Sequence, residues 1–69
     1  MSITKTISYA PLWKTLIDKG LKKTDLISMA NMGSGTLAKL SKNQEISMTV
    51  LLKLCTVLNC ELTDIMIIS

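Results

Sequence analysis

The 69-residue chain contains no histidine, no arginine and no phenylalanine, and only one proline, one tryptophan and one tyrosine. Without histidine it lacks the commonest general base and the commonest metal ligand. With only Cys55 and Cys60 as thiols, the usual structural zinc patterns are excluded. There is no acid pair with an obvious shared site and no glycine loop built for phosphate, and neither cysteine has a base close by in sequence. An enzyme is not expected, and no cofactor is implied. No run approaches the roughly 18–20 uninterrupted apolar residues of a membrane span, so no membrane partner is expected. No signal-peptide pattern is visible, and the expected location is cytoplasmic. The lack of arginine removes the usual bidentate reader of guanine from any nucleic-acid contact. The lack of phenylalanine leaves Leu, Ile and Met to fill the core.

What the chain does hold is apolar residues, at 48% of the total, and a net charge of +3 from eight lysines against five acids. The length means one domain, 1–69. A core this small needs a high apolar content or a partner. The charge is only mildly basic, so placement matters more than the total. Lys22, Lys23, Lys39 and Lys42 fall within one stretch, 22–43, against a single acid, Asp25.

Residues 1–9 alternate Ile3, Lys5, Ile7 and Tyr9 with Ser and Thr, a period of two that predicts a short strand-like arm. The only other strand-like segment is Ile65-Met66-Ile67-Ile68-Ser69, so the two ends are expected to pair, within one chain or across a dimer. A first helix is predicted over 10–19, capped by Ser8, with Pro11 in its first turn and Gly20 as its stop. Leu12, Trp13, Leu16 and Ile17 form its apolar face, with Trp13 in the core. Lys23 to Ala30 reads as a second helix through Leu26, Met29 and Ala30. Asn31 tolerates a left-handed backbone, Met32 turns inward, and Gly33 or Ser34 caps a third helix carrying Leu37 and Leu40 inside. The other face of that helix shows Ser34, Gly35, Ala38, Lys39 and Lys42, small enough to approach another surface closely.

Ser47 caps a fourth helix with Leu51, Leu54, Cys55 and Leu58 at i, i+3, i+4, i+7. Met48, Val50, Leu52 and Val57 widen that face, which predicts a central helix wrapped by the others. Asn59 stops it, and a last short helix is expected from about Leu62. Cys55 and Cys60 read as two reduced, small apolar residues. A disulfide between them requires the helix to end between them.

Helix, three-residue turn, helix is the shape whose second helix enters the DNA major groove. The run Leu21-x4-Leu26-x3-Ala30-Asn31-Met32-x3-Thr36-Leu37-x2-Leu40, followed by Ile46-x4-Leu51-x2-Leu54-x3-Leu58-Asn59-x2-Leu62-x2-Ile65, resembles the lambda-repressor-like helix-turn-helix domain of phage repressor and Cro type, also called XRE. The resemblance spans roughly Leu12 to Met66, and it looks most like the small stand-alone regulators of that family. It implies an all-α, compact five-helix domain with short strands at the two termini. By position, it implies base contacts from Ser34, Gly35 and Lys39. Phosphate contacts fall to Lys22, Lys23, Thr36, Lys42 and Asn43. Two departures stand out: Asn31 replaces the usual turn glycine, and Ile27 occupies a place where many members have a small residue.

Among these residues only Lys39 is a strong base reader, which predicts modest specificity from a monomer. Useful recognition then needs a homodimer on an inverted-repeat operator, half-sites about one turn apart. The apolar ends, Ile3, Ile7, Ile67 and Ile68, are the candidates for the dimer contact. The expected function is sequence-specific double-stranded DNA binding by a transcriptional regulator, a repressor, with the third helix in the major groove. A competing reading keeps the fold as a protein-binding module with little DNA specificity, favoured by the missing arginine and the small outer face.

Overall fold

Four α-helices end in the same way, and those endings set the layout of the computed structural model, which describes residues 4–69. The helices are α1 (Ala10–Asp18), α2 (Asp25–Met29), α3 (Ser34–Ser41) and α4 (Met48–Leu58). After each comes a residue with positive φ: Gly20 at 69°, Asn31 at 50°, Asn43 at 56° and Asn59 at 51°. A left-handed residue past the end turns the chain and lets the next N–H bond back across five residues. The four bonds are Leu21 N–H to Leu16 C=O at 2.9 Å, Met32 to Ile27 at 3.2 Å, Gln44 to Lys39 at 2.9 Å and Cys60 to Cys55 at 3.0 Å. Each bond joins one pair of residues across its turn: Leu16 with Leu21, Ile27 with Met32, Lys39 with Gln44, and Cys55 with Cys60.

The helix starts are less uniform. Tyr9, not the expected Ser8, occupies the N-cap of α1 and no side chain caps it there; Ser8 accepts the Ala10 N–H at 3.3 Å, and Pro11 lies in the first turn. Ser47 caps α4 as expected, accepting the Val50 N–H at 3.3 Å. The α2 segment is shorter than the predicted Lys23–Ala30. A tight turn from Lys22 leads into it, with the Asp25 carboxylate accepting the Lys22 N–H at 2.8 Å. Thus Lys22 lacks a capping side chain of its own, and Asp25 supplies the oxygen by reaching back.

The core is leucine-rich: Leu12, Leu16, Leu26, Leu40, Leu51, Leu54 and Leu58 are buried with Tyr9, Ala30, Met32 and Ile65. Each fully buried leucine contributes about 1.5–3 kcal/mol of transfer free energy. Leu37 is half-buried and packs on this cluster. Two expectations fail here. Ile17 is 76% exposed rather than part of the inner face of α1, and Trp13 beside it is only half-buried. Likewise α4 is not wrapped on all sides, because Met48 and Leu52 are 57% and 59% exposed. The buried stripe of α4 is the narrow Leu51, Leu54, Leu58 line, with Val50, Cys55 and Val57 half-buried at its edges.

The fifth helix reduces to a single 3-10 turn, Leu62–Asp64. Its Glu61 and Asp64 cap each other reciprocally, with the Glu61 N–H donating to Asp64 Oδ2 at 3.0 Å. Only one turn fits before Ile65 must drop into the core and the chain must straighten.

The ends do pair within one chain. Strands β1 (Ile7–Ser8) and β2 (Ile67–Ile68) are antiparallel, with Ile7 opposite Ile68 and Ser8 opposite Ile67. The Thr6 N–H donates to Ser69 C=O at 2.8 Å, and the Ser69 N–H returns to Thr6 C=O at 3.0 Å. The portion of the predicted arm at Ile3 lies outside the described residues. No described helix is long and apolar enough to cross a membrane.

Candidate nucleic-acid interface

Helix α3 lies on the core through Leu40 and Leu37 and turns its opposite side outward. Ser34, Gly35, Ala38 and Lys39 are exposed on it, as is Lys42 just past its end, while Thr36 is half-buried at the edge. Gly33, not Ser34, is the cap: its backbone is extended, and its carbonyl accepts the Thr36 and Leu37 N–H groups at 3.2 and 3.3 Å. No side chain caps this end. The first N–H groups of α3 therefore point into an open helix N-terminus, where the helix dipole favours an anion. Glycine at 33 and 35 keeps side-chain bulk away from that end; a Cβ placed on either would meet no atom within 4 Å. The space there is open, so packing inside the fold does not require glycine at either position.

The lysines do not stand alike. Lys22, Lys39 and Lys42 are exposed. Lys23 is exposed too, but its ammonium sits 4.3 Å from the centre of the Trp13 ring. That cation–π contact is worth about 0.5–1 kcal/mol at an exposed site. Trp13 is thus neither a core residue nor an open stacking platform; it is a half-buried shelf that holds Lys23.

Asn43 has two structural duties. It supplies the left-handed stop of α3, and its Oδ1 accepts the Tyr9 N–H at 3.0 Å. The Tyr9 hydroxyl donates to the Gln44 carbonyl at 2.8 Å. Tyr9 is 1% exposed, so the N-terminal arm is anchored on the C-terminal end of α3 through a buried ring with both polar groups satisfied. Burial pushes the Tyr9 phenol above its ordinary value, and the nearby Glu45 charge adds to the rise.

The pair α2 and α3, with the four-residue passage 30–33 bent by Asn31, is a helix-turn-helix. The sequence pattern of the Cro/C1-type HTH DNA-binding domain matches residues 11–69. The chain belongs to the Cro/C1-type helix-turn-helix family. The Cro/C1-type fold is shared closely with a solved structure, that of the transcriptional regulator VanUg in its Form II crystal. The two are 39% identical, with a TM-score of 0.91, over 100% of this chain and 96% of that one. No curated protein sequence matches the chain.

Within this Cro/C1-type domain, six of the eight expected DNA-facing residues lie on or beside one surface at α3: Ser34, Gly35, Thr36, Lys39, Lys42 and Asn43. Lys22 and Lys23 belong to the turn that opens α2. Sequence reasoning missed the Tyr9 anchor, whose partners lie 34 and 35 residues away. A buried tyrosine at the end of an alternating segment was the only signal available, and it does not name a partner. Of the two caps expected for α3, Gly33 or Ser34, the structure uses Gly33, which leaves the Ser34 hydroxyl outside the capping role.

Proposed function

We propose that the chain is a sequence-specific transcriptional regulator, a repressor, that binds double-stranded DNA as a homodimer with α3 in the major groove. The observation that carries this reading is the outer face of α3, with small residues at its open N-terminus and lysines at its C-terminal end. Ser34 and Gly35 allow close approach to base edges, and Lys39 reaches guanine O6 and N7. Lys22, Lys23, Lys42, Thr36 and the amide nitrogen of Asn43 hold phosphates, and the first N–H groups of α3 add backbone bonds to the same strand. The family match and the likeness to a solved transcriptional regulator support the same assignment.

A single lysine reader gives little discrimination, so two half-sites about one turn apart are needed. The dimer contact uses the face of β2 and the turn before it. Leu62, Ile67 and Ile68 are 39%, 46% and 62% exposed and, with Met66, line a shallow apolar depression. Ile7 is half-buried against the core and is not available to the same degree.

Selection from a randomised duplex pool, followed by affinity at several salt concentrations, tests the proposal. The expected result is an enriched inverted repeat. With Lys22, Lys23, Lys39 and Lys42 neutralising about three or four phosphates, log K should fall with log salt at a slope of about −3 per subunit, and about −6 per dimer. Lys42→Gln should lower the slope by about 1 per subunit without changing the preferred sequence, whereas Lys39→Gln should also relax it. Absence of any enriched sequence, with a slope unchanged in both variants, would refute the reading.

A further inference from the structure

The four helix endings each join a particular pair of residues by a backbone bond, and at the end of α4 that pair is Cys55 and Cys60. The Cys60 N–H bonds to the Cys55 carbonyl at 3.0 Å, the Asn59 N–H bonds to Thr56 at 3.3 Å, and Asn59 is left-handed at φ 51°. The helix thus ends between the two cysteines. At the other helix ends the equivalent pairs are Leu16 with Leu21 and Ile27 with Met32, which are inert, and Lys39 with Gln44. Only here does the turn join two cysteines, and both are half-buried rather than sealed.

We propose that Cys55 and Cys60 are a redox pair that closes reversibly to an intramolecular disulfide when a hydroperoxide reaches it. A disulfide needs Cα atoms within about 7 Å, and a backbone bond joining the two residues holds them side by side. The Cys55 thiolate attacks one peroxide oxygen and the O–O bond breaks. One oxygen leaves as hydroxide, protonated to water, and Cys55 becomes a sulfenic acid. The Cys60 sulfur then attacks that sulfur, the S–O bond breaks, and the oxygen departs as a second water carrying the Cys60 proton. Two electrons pass from the two thiols to one hydroperoxide. Burial raises the Cys60 thiol above its usual range. The Cys55 thiol and the Asp64 carboxylate raise it further, against a smaller opposing effect of Lys19. Cys60 is therefore held toward its thiol form and suits the second, resolving step. The ring spans only six residues, so it constrains the unfolded chain little, and a glutathione-class thiol can reopen it.

This inference does not depend on the DNA-binding reading. The test uses the full chain with hydrogen peroxide. Wild type should lose both titratable thiols and about 2 Da of mass, with the loss confined to the tryptic fragment that begins at Leu54 and restored by reduced glutathione. The rate should not change with protein concentration. The Cys60→Ser variant should instead stop at a sulfenic acid on Cys55, trapped by dimedone, while wild type should show little trapping. The proposal is overturned by cross-linked chains, by stepwise oxygen addition without a loss of about 2 Da, or by two intact thiols at peroxide levels that oxidise free glutathione. Dimedone trapping in wild type equal to that in Cys60→Ser also overturns it.

Discussion

Replacing asparagine by glycine at the helix stops should give opposite outcomes at two positions that look alike in sequence. Asn43 and Asn59 both adopt a left-handed backbone, with φ 56° and 51°. Glycine takes that conformation without the Cβ penalty, which favours the folded state. It also loosens the unfolded chain by a similar amount, roughly 0.5–1 kcal/mol. At Asn59 the two effects oppose each other and no side-chain bond to another residue is described, so Asn59→Gly should change stability by less than about 0.5 kcal/mol. At Asn43 the same two effects apply, but Oδ1 also accepts the Tyr9 N–H at 3.0 Å. Removing an acceptor from a buried donor costs about 1–3 kcal/mol. The bond is part-buried and Asn43 itself is exposed, so water replaces part of the lost oxygen and the cost falls toward the low end of that range. Asn43→Gly should therefore be less stable than Asn59→Gly by about 1–2 kcal/mol, a difference of roughly 4–16 °C in Tm for a domain of this size. Urea unfolding followed by circular dichroism of both variants measures it. Equal midpoints would refute the idea that Asn43 anchors the arm, and would leave it as a helix stop alone.

Tyr9 carries a second expectation. Its raised phenol pKa means the unfolded state loses that proton first, so stability should fall as pH rises above about 10 and level off beyond the folded value. Tyr9→Phe should remove that part of the alkaline loss, seen as a flatter pH profile of the urea midpoint than in wild type; an unchanged profile would refute it. Lys23→Gln should remove the ammonium from the Trp13 ring, lower stability by about 0.5–1 kcal/mol, and alter Trp13 fluorescence, the only tryptophan signal in the chain. Unaltered fluorescence would mean that the ring does not hold the lysine in solution.

Local rules read the helix ends well. Gly20, Asn31 and Asn59 were legible as stops because few residues accept a left-handed backbone, and Ser47 was legible as a cap because its oxygen suits a free N–H. The same rule applies to Asn43, yet it sits in a polar run, Lys42-Asn43-Gln44-Glu45, where a connecting loop and a phosphate ligand read equally well. Periodicity was less decisive about faces. Ile17 and Leu52 each follow a buried leucine directly and lie about 100° round the helix from it, so a broad apolar stripe includes them while the packed surface does not. The candidate interface was legible where it is local, along α3 from Ser34 to Lys42. What depends on distant partners, the Tyr9 anchor on Asn43 and Gln44 and the Trp13 shelf under Lys23, carries no local pattern. The pairing of the ends was legible only because two strand-like segments existed and each needed a partner.

The small terminal sheet also bears on the order of folding. It joins residues 63 apart with two-residue strands, as the Thr6 and Ser69 contact shows. Closing a flexible loop of that length costs about 4 kcal/mol of chain entropy, far more than a helix stop that reaches back five residues. Contacts of long sequence separation form late for that reason, and those with little burial open first. During synthesis β1 must wait until β2 has emerged, while α1 to α4 and their caps need only neighbours already made. The sheet is thus a late latch on a helical core, and amide hydrogen exchange at Thr6 and Ser69, faster than at Leu54 in the middle of α4, would read its opening.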